Sequence, residues 1–343
     1  MKKTFLFIIL ATASAIASTA MKYKVEIPLS GDFEGAMAFL VNYDTSEKID
    51  SVLVEEGIAE FNGEISEPAA VRLVVDGAKA GTFILEEGDI TFNPATQIVT
   101  GGILNEKNNA LNTEIANLSE KLRNAKSEEE EESIYNDYTT LTQTIMEQNL
   151  DNPVGYLLFL DRAYDMEPVE CEAFVAEHPY FSKFQRVNKL LESNRRKVAS
   201  SEGAMFTDFE IEYNGEKHRL SDVVGKGDYV LVDFWASWCG PCIRQTAVLK
   251  DIYNDYKDDG LKVLGVAVWD EPDNTLKAIQ QHELPWECWL NGQNVPTDAY
   301  GISGIPCIIL FGPDGTILSR DKQSDELKAA VAAAMTEKKQ NNK

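Results

Sequence analysis

The sequence predicts an α/β layered domain at its C-terminal end, preceded by an all-β, sandwich-like domain and a helical segment. Three observations carry that prediction. Residues 22 to about 103 alternate apolar and polar side chains with a period of two, as half-buried strands do. At about Asn105 the period lengthens to that of amphipathic helices. From Met205 onward, buried-strand runs and helical spacings take turns. A chain of 343 residues also exceeds one ordinary core, which favours more than one domain.

The first 20 residues stand apart. Lys2 and Lys3 precede an apolar run from Phe5 to Leu10, and small residues follow. Ala15-Ile16-Ala17 and Ser18-Thr19-Ala20 both fit the small-x-small rule, so the reading is a signal peptide cleaved after Ala17 or Ala20. No cysteine lies there to take a lipid anchor. No later apolar run is long enough to span a bilayer as a helix. The expectation is an exported protein. Its domains would be residues 1–20, the signal peptide; 21–104, the β-rich domain; 105–200, the helical segment; and 201–338, the α/β domain.

Strand signals in the second region are Ala36–Val41, Val52–Val54, Val71–Val75 and Thr82–Leu85. Turn signals punctuate them at Glu56-Gly57, Asn62-Gly63, Asp76-Gly77 and Glu87-Gly88. Short antiparallel strands so divided indicate a sandwich or a barrel-like domain. In the helical segment, Leu111, Ile115, Leu118 and Leu122 form one stripe, and Ile134, Tyr138, Leu141 and Ile145 another. They read as a helical hairpin packed on its neighbours. The run Glu128–Glu132 reads as a solvated helix face. Asn152-Pro153 is an N-cap and N1 pair opening a further helix, and Ser200–Gly203 reads as a linker.

In the last region, Tyr229–Trp235 is a β-branched and aromatic run suited to a buried central strand. Residues 243–256 have helical spacing, 261–268 form a second buried strand, and 273–283 suit a helix. Cys307–Phe311 is another strand, turned by Pro313-Asp314-Gly315 into residues 316–318. Ser324 is expected to cap a last helix carrying Leu327, Val331 and Met335 on one face.

Five cysteines, at 171, 239, 242, 288 and 307, are too few and too scattered for a disulfide scaffold. One pair is close. Cys239 and Cys242 lie where a buried strand turns into a helix, so a thiolate at Cys239 would meet free backbone N–H groups and the positive end of the helix dipole. That predicts a low-pKa, exposed nucleophile at Cys239, with Cys242 one turn on to close a disulfide. Pro241 suits the first turn, where its missing N–H costs nothing. Tetrahedral zinc would need two more ligands, and no second CxxC or HxxxH occurs, so no metal is expected. Asp233, flanked by Val230, Leu231, Val232 and Phe234, is expected to be a buried acid of raised pKa that exchanges a proton with Cys242. Gly304-Ile305-Pro306 marks a tight turn entering a strand.

Residues 230–242, Val-Leu-Val-Asp-Phe-Trp-Ala-Ser-Trp-Cys-Gly-Pro-Cys, resemble the active-site strand and loop of thioredoxins nearly residue for residue. Residues 299–306, Ala-Tyr-Gly-Ile-Ser-Gly-Ile-Pro, resemble that family's cis-proline loop. The insertion from Leu284 to Asp298, with the signal peptide, is similar to the extracytoplasmic TlpA/ResA branch. The resemblance spans residues 201–338. It implies a thioredoxin-like mixed sheet flanked by helices, Cys239 as attacking thiol, Cys242 as resolving thiol, Asp233 as buried acid and a cis Pro306. It also implies substrate binding by Trp238, Gly240, Pro241, Ile305 and Pro306, with no cofactor beyond the Cys239–Cys242 disulfide. Expected partners are protein disulfides or dithiols and a membrane electron donor, and the expected place is the periplasm. Residues 22–200 resemble, more weakly, an uncharacterised β-rich domain with a helical extension. Two positions depart from the pattern: Cys307 stands where Thr is usual, giving a candidate third thiol, and Ala247 where this branch often has proline.

A formal net charge of −24 disfavours nucleic acid and anionic membranes as partners. A peroxidase is disfavoured too. Peroxiredoxin-type sites place Thr or Ser three residues before the reactive cysteine and proline farther upstream, whereas Ala236 and Val232 stand there. His178, His218 and His282 fit no pattern, and Cys171 and Cys288 read as small buried apolar residues.

Overall fold

The structure is a computed structural model that describes residues 20–341, so the signal-peptide reading lies outside the described residues. The chain forms two compact units. One comprises residues up to Glu167 together with Ala173–Val187; the other comprises Pro168–Glu172 and everything from Asn188 onward.

In the first unit the alternating segments form β1 (Met21–Pro28), β2 (Met37–Asn42), β3 (Lys48–Leu53), β4 (Ile58–Ile65), β5 (Ala69–Val75), β6 (Ala78–Leu85), β7 (Gly88–Asn93) and β8 (Ile98–Thr100). They make two four-stranded sheets, ordered β4-β1-β7-β8 and β3-β2-β5-β6. The inward side chains, among them Val25, Ile27, Leu40, Phe61, Leu73, Phe83 and Phe92, merge into one core, as expected of a sandwich. Asp76-Gly77 is a two-residue hairpin turn with φ of 48° and 77°. Asn62-Gly63 is not a turn but lies inside β4. A Cβ at Gly63 would stand 2.4 Å from the Tyr23 hydroxyl of the neighbouring strand, so the glycine answers a close approach rather than a reversal.

Helices α1 (Ile103–Asn124) and α2 (Glu128–Glu147) are the expected hairpin, and α3 (Pro153–Arg162) follows. Ser127 accepts from the Glu130 amide at 3.2 Å, and glutamates crowd the first turn of α2, where the helix dipole favours them. Asn152 caps α3 by accepting from the Val154 amide at 3.0 Å, with Pro153 at the first position. Fully buried Asn105 ties α1 to the sandwich through both main-chain groups of Ile84. The Asp44 carboxylate accepts from the Tyr156 hydroxyl at 2.9 Å and from the Gln185 and Arg186 amides at 2.8 Å.

Two helices complete that segment, α4 (Pro168–Glu177) and α5 (Gln185–Ala199). The second unit then runs β9 (Glu210–Tyr213), β10 (Glu216–Arg219), β11 (Tyr229–Trp235), α6 (Gly240–Tyr256), β12 (Leu261–Ala267), α7 (Pro272–Gln281), β13 (Glu287–Trp289), α8 (Val295–Tyr300), β14 (Cys307–Phe311), β15 (Ile317–Arg320) and α9 (Ser324–Asn341). The central sheet is ordered β13-β12-β11-β14-β15. Its first three strands are parallel, and β14 and β15 are antiparallel to their neighbours. This is the thioredoxin-like mixed sheet that the motifs imply. All seven residues of β11 are buried, so the strand needs apolar side chains on both faces. Even positions Val230, Val232 and Phe234 join one core with the β9–β10 hairpin and Tyr300. Odd positions Tyr229 and Leu231 pack under α6 and α9 through Leu249, Ile252, Leu327 and Val331.

Two local expectations are corrected. Ser324 does not cap α9: it is the first helical residue, its hydroxyl accepts from Gln245, and the Gln323 carbonyl takes the first helical bond. Ser200–Gly203 is no loose linker. Ser200 is fully buried, Glu202 accepts from the Arg320 amide and Lys322, and the Gly203 amide bonds to Ile317. Main-chain partners hold it more firmly than its composition suggests. No described helix is long and apolar enough to cross a membrane.

Candidate active site

Strand β11 ends at Trp235, and a short turn delivers Cys239 to the N-terminus of α6. Cys239 is the N-cap: the Cys242 amide donates to its sulfur at 3.1 Å. A disulfide joins Cys239 and Cys242, whose Cα atoms are 5.2 Å apart. The same amide, with the dipole of a 17-residue helix, would stabilise a thiolate on Cys239 once the bond opens. The sequence led us to expect an exposed Cys239, and the structure corrects this: only 4% of its surface is accessible. Trp235, Ala236, Cys242 and Ala278 pack around it, with Ile305 against them. The face left open is made by its neighbours Trp238, 61% accessible, Gly240 and Pro241.

The Ile305–Pro306 bond is cis. Cys239 Sγ lies 3.7 Å from the Ile305 carbonyl oxygen, so the two motifs, 66 residues apart, meet at one point. Ser303 and Gly304 are exposed, and Ile305 and Pro306 half-buried. The sulfur is therefore flanked by the Ile305 main chain on one side and exposed Trp238 on another.

Asp233 is 2% accessible, its Oδ1 has no hydrogen-bond partner, and burial pushes its carboxyl up to about 7. It points to the α6 face of the sheet between Leu231, which packs under Leu249, and Trp235, which packs with Cys242. That places it beneath the stretch of α6 that begins at Cys242. Beside it lies a feature the sequence reading missed. Asp233, Gly265 and Cys288 occupy one row across β11, β12 and β13. A Cβ on Gly265 would stand 2.8 Å from Cys288 Sγ and 3.0 Å from the Trp235 ring nitrogen, which also has no partner. The glycine thus makes room for both groups over the sheet beside the acid. Cys288 is only partly buried, not the fully buried residue expected; burial and the Asp233 charge push its thiol up to about 12. An isolated glycine within the buried run of β12 was the available signal.

Cys307 is 2% accessible and packs with Phe234 and Val232 on the opposite face of the sheet from Cys288, so the two cannot approach each other. Burial raises its thiol well above the ordinary range. Cys171 is also buried and free.

The loop bearing Trp238 is held by residues 269–270, which the sequence reading did not single out. The buried Asp270 carboxylate accepts from the Ser237 amide at 2.8 Å, the Ser237 hydroxyl at 3.0 Å and the Thr275 hydroxyl at 2.8 Å. The Trp238 ring nitrogen donates to the Trp269 carbonyl at 2.9 Å. No group of three or more His, Cys, Asp or Glu among the described residues could hold a metal ion.

This arrangement defines a thiol–disulfide oxidoreductase of thioredoxin-like fold. Residues 203–320 match the AhpC/TSA family, and residues 23–108 match a domain of unknown function, DUF4369. The thiol-disulfide oxidoreductase ResA of Geobacillus thermodenitrificans is 30% identical over 122 residues, covering 35% of this chain and 69% of that protein. ResA of Bacillus subtilis is 28% identical over 123 residues, covering 36% and 68%. Among solved structures, the thioredoxin domain of a thiol-disulfide oxidoreductase from Bacteroides vulgatus is 31% identical, covering 39% of this chain and 96% of that one, with a TM-score of 0.35. A thiol-disulfide oxidoreductase from Bacteroides fragilis is 28% identical, covering 38% and 98%, with a TM-score of 0.34. The chain belongs to the ResA family of thiol-disulfide oxidoreductases.

Proposed function

We propose that the protein is a periplasmic protein-disulfide reductase acting through Cys239 and Cys242. The observation that carries this is the cysteine pair at the N-terminus of α6, its outer sulfur beside the Ile305 carbonyl. In the reduced enzyme the Cys239 thiolate attacks one sulfur of a substrate disulfide. A mixed disulfide forms, and the other substrate sulfur leaves as thiolate and takes a proton. Cys242 then passes its proton to Asp233 and attacks Cys239 Sγ, so the second substrate sulfur leaves. Two electrons have moved to the substrate, and the enzyme holds its disulfide again. The raised pKa of Asp233 suits it to hold that proton near neutral pH. The disulfide carries the electrons, and a membrane electron donor restores the dithiol. Trp238, Gly240, Pro241, Ile305 and Pro306 form the surface on which an extended substrate segment lies, its main chain pairing with that of Ile305.

Gly-Pro between the cysteines resembles reducing thioredoxins, and this favours reduction over oxidation of folding proteins. The test is equilibration with defined thiol–disulfide buffers. A potential near about −270 mV supports the reductase, and one near about −120 mV makes the protein an oxidase. Cys239→Ser should abolish insulin-disulfide reduction; retained activity would remove the mechanism. The reduced enzyme should consume hydrogen peroxide no faster than free dithiol.

A further inference from the structure

The loop that carries Ile305 is short. Its upstream end is α8, whose last residue Tyr300 is fully buried and is followed by Gly301 in the left-handed region at φ 60°. Gly301 is gripped by α5, and Tyr300 by the residue just past its end; both grips lie ahead of residues 203–320 and so outside the part of the chain that matches the AhpC/TSA family. A Cβ on Gly301 would stand 2.2 Å from the Ser193 carbonyl oxygen and 2.5 Å from the Lys197 nitrogen, so only glycine lets the helix backbone come this close. Arg196 Nη1 donates to the Asp298 carbonyl at 2.8 Å.

Just past the end of α5, the buried Ser200 hydroxyl lies 3.1 Å from the Tyr300 carbonyl. Arg320 closes the junction from β15: its side chain is 6% accessible, Nη2 donates to the Tyr300 carbonyl at 2.9 Å, and Nη1 donates to the Ser200 carbonyl at 3.0 Å and to the Ser200 hydroxyl. The Tyr300 carbonyl, left free at the end of a six-residue helix, is thus held by Arg320 and lies within reach of the Ser200 hydroxyl, which also stands 2.7 Å from the Arg196 carbonyl. Past Gly301, Ile302 is buried and its amide bonds back to Thr297 at 2.8 Å. Only the exposed Ser303 and Gly304 then separate the braced segment from Ile305.

We propose that the C-terminal half of α5 and the turn just after it, through Arg196, Ser200 and the close contact with Gly301, are a positioning element for thiol–disulfide exchange, fixing the loop that sets the Ile305 main chain beside Cys239. None of these residues touches the sulfurs. Their effect would fall on how well a protein substrate is held, not on the chemistry of the cysteine pair. The proposal rests on the exchange reaction above. It differs from simple packing in what it predicts: loosening the brace should free the loop while leaving β11, α6 and the disulfide unchanged.

The test uses the full chain with the double substitution Arg196→Ala/Ser200→Ala, which removes the polar links of both side chains without placing a side chain at Gly301. Amide hydrogen exchange of residues 302–305 should quicken roughly tenfold, with that of β11 and β12 unchanged. The KM for insulin should rise about three- to tenfold with kcat held within about twofold, and the rate with oxidised glutathione should stay at the wild-type value. Gly301→Ala should act in the same direction and more strongly, its folding checked by circular dichroism. Unchanged loop exchange in the folded double variant overturns the proposal, as does a parallel loss with insulin and glutathione. If the wild-type protein itself does not reduce insulin, the reductase reading fails instead, and loop exchange alone decides the brace.

Discussion

Asp233 and Cys288 sit in one row across three neighbouring strands, with Gly265 alone between them. The acid is buried without a partner for Oδ1, and the Cys288 thiol and the Trp235 ring nitrogen both stand over the glycine. Burial is the first cause of the raised pKa at both, and a negative charge on Asp233 raises that of Cys288 further. Cys288 therefore stays a neutral thiol near neutral pH, whereas Asp233 stands close to half-protonated there. A buried acid in such company can take up a proton without an opposing positive charge to hold it ionised.

The Asp233 carboxyl has a measurable consequence for stability. Its folded pKa of about 7 lies above the ordinary 3.8, so the folded chain holds this proton more tightly than the unfolded one. The stabilisation is complete below the unfolded value and is lost as pH rises through the folded one. Above pH 7 the difference should reach about 4 kcal/mol. Asp233→Asn should be more stable than wild type at pH 8, with the gap closing by pH 4. Urea unfolding of both proteins across that range reads it; parallel pH profiles would show that Asp233 carries no such shift.

Reactivity should divide the five cysteines sharply. After reduction, Cys239 has a helix N-terminus to stabilise its thiolate, whereas burial raises the thiols of Cys171, Cys288 and Cys307. Brief iodoacetamide treatment at pH 7.5, read by peptide mass spectrometry, should modify Cys239 first and leave those three intact in the folded protein. Labelling of Cys288 or Cys307 as fast as Cys239 would make a third thiol part of the exchange.

What could be read from the sequence follows from where each signal lives. The cysteine pair, Asp233 and the Ile305-Pro306 turn are local patterns, each placed by a few neighbouring residues, and the structure brings Cys239 and Ile305 together. The strands of the first unit were legible through alternation, but Gly63 was not, because a tyrosine from the next strand decides it. Cys288 was misjudged for a related reason. Its environment is set by the row it shares with Gly265 and Asp233, and strand register is a tertiary fact. The closed surface of Cys239 likewise depends on Ala278 and Ile305, which arrive from α7 and the loop before β14. Asp270 carried no sequence signal at all, since an aspartate after a strand is ordinary loop chemistry until its three donors are seen.

Those donors make Asp270 a stabilising post for the active-site loop. Replacing it by alanine leaves the Ser237 amide, the Ser237 hydroxyl and the Thr275 hydroxyl without their shared acceptor. With so buried a group, the loss should be about 2–3 kcal/mol. Asp270→Asn, which keeps one acceptor oxygen, should lose less. Thermal unfolding of the two variants measures this; an unchanged alanine variant would mean water replaces the carboxylate freely.

The order in which the two sulfurs act can be separated by a single substitution. If Cys239 attacks and Cys242 resolves, Cys242→Ser must stop after the first step, with Cys239 joined to the substrate. Cys242 is fully buried and Cys239 retains a sliver of surface at the N-cap, so the outer sulfur is the one a protein can reach. Serine at position 242 keeps the amide that donates to Cys239 Sγ, so thiolate stabilisation survives the change. The variant incubated with a disulfide-containing protein should accumulate a covalent complex that a reducing agent dissolves, visible on a non-reducing gel. Cys239→Ser should form none. Complexes from Cys239→Ser, joined through Cys242, would reverse the two roles and require the α6 N-terminus to open before exchange begins.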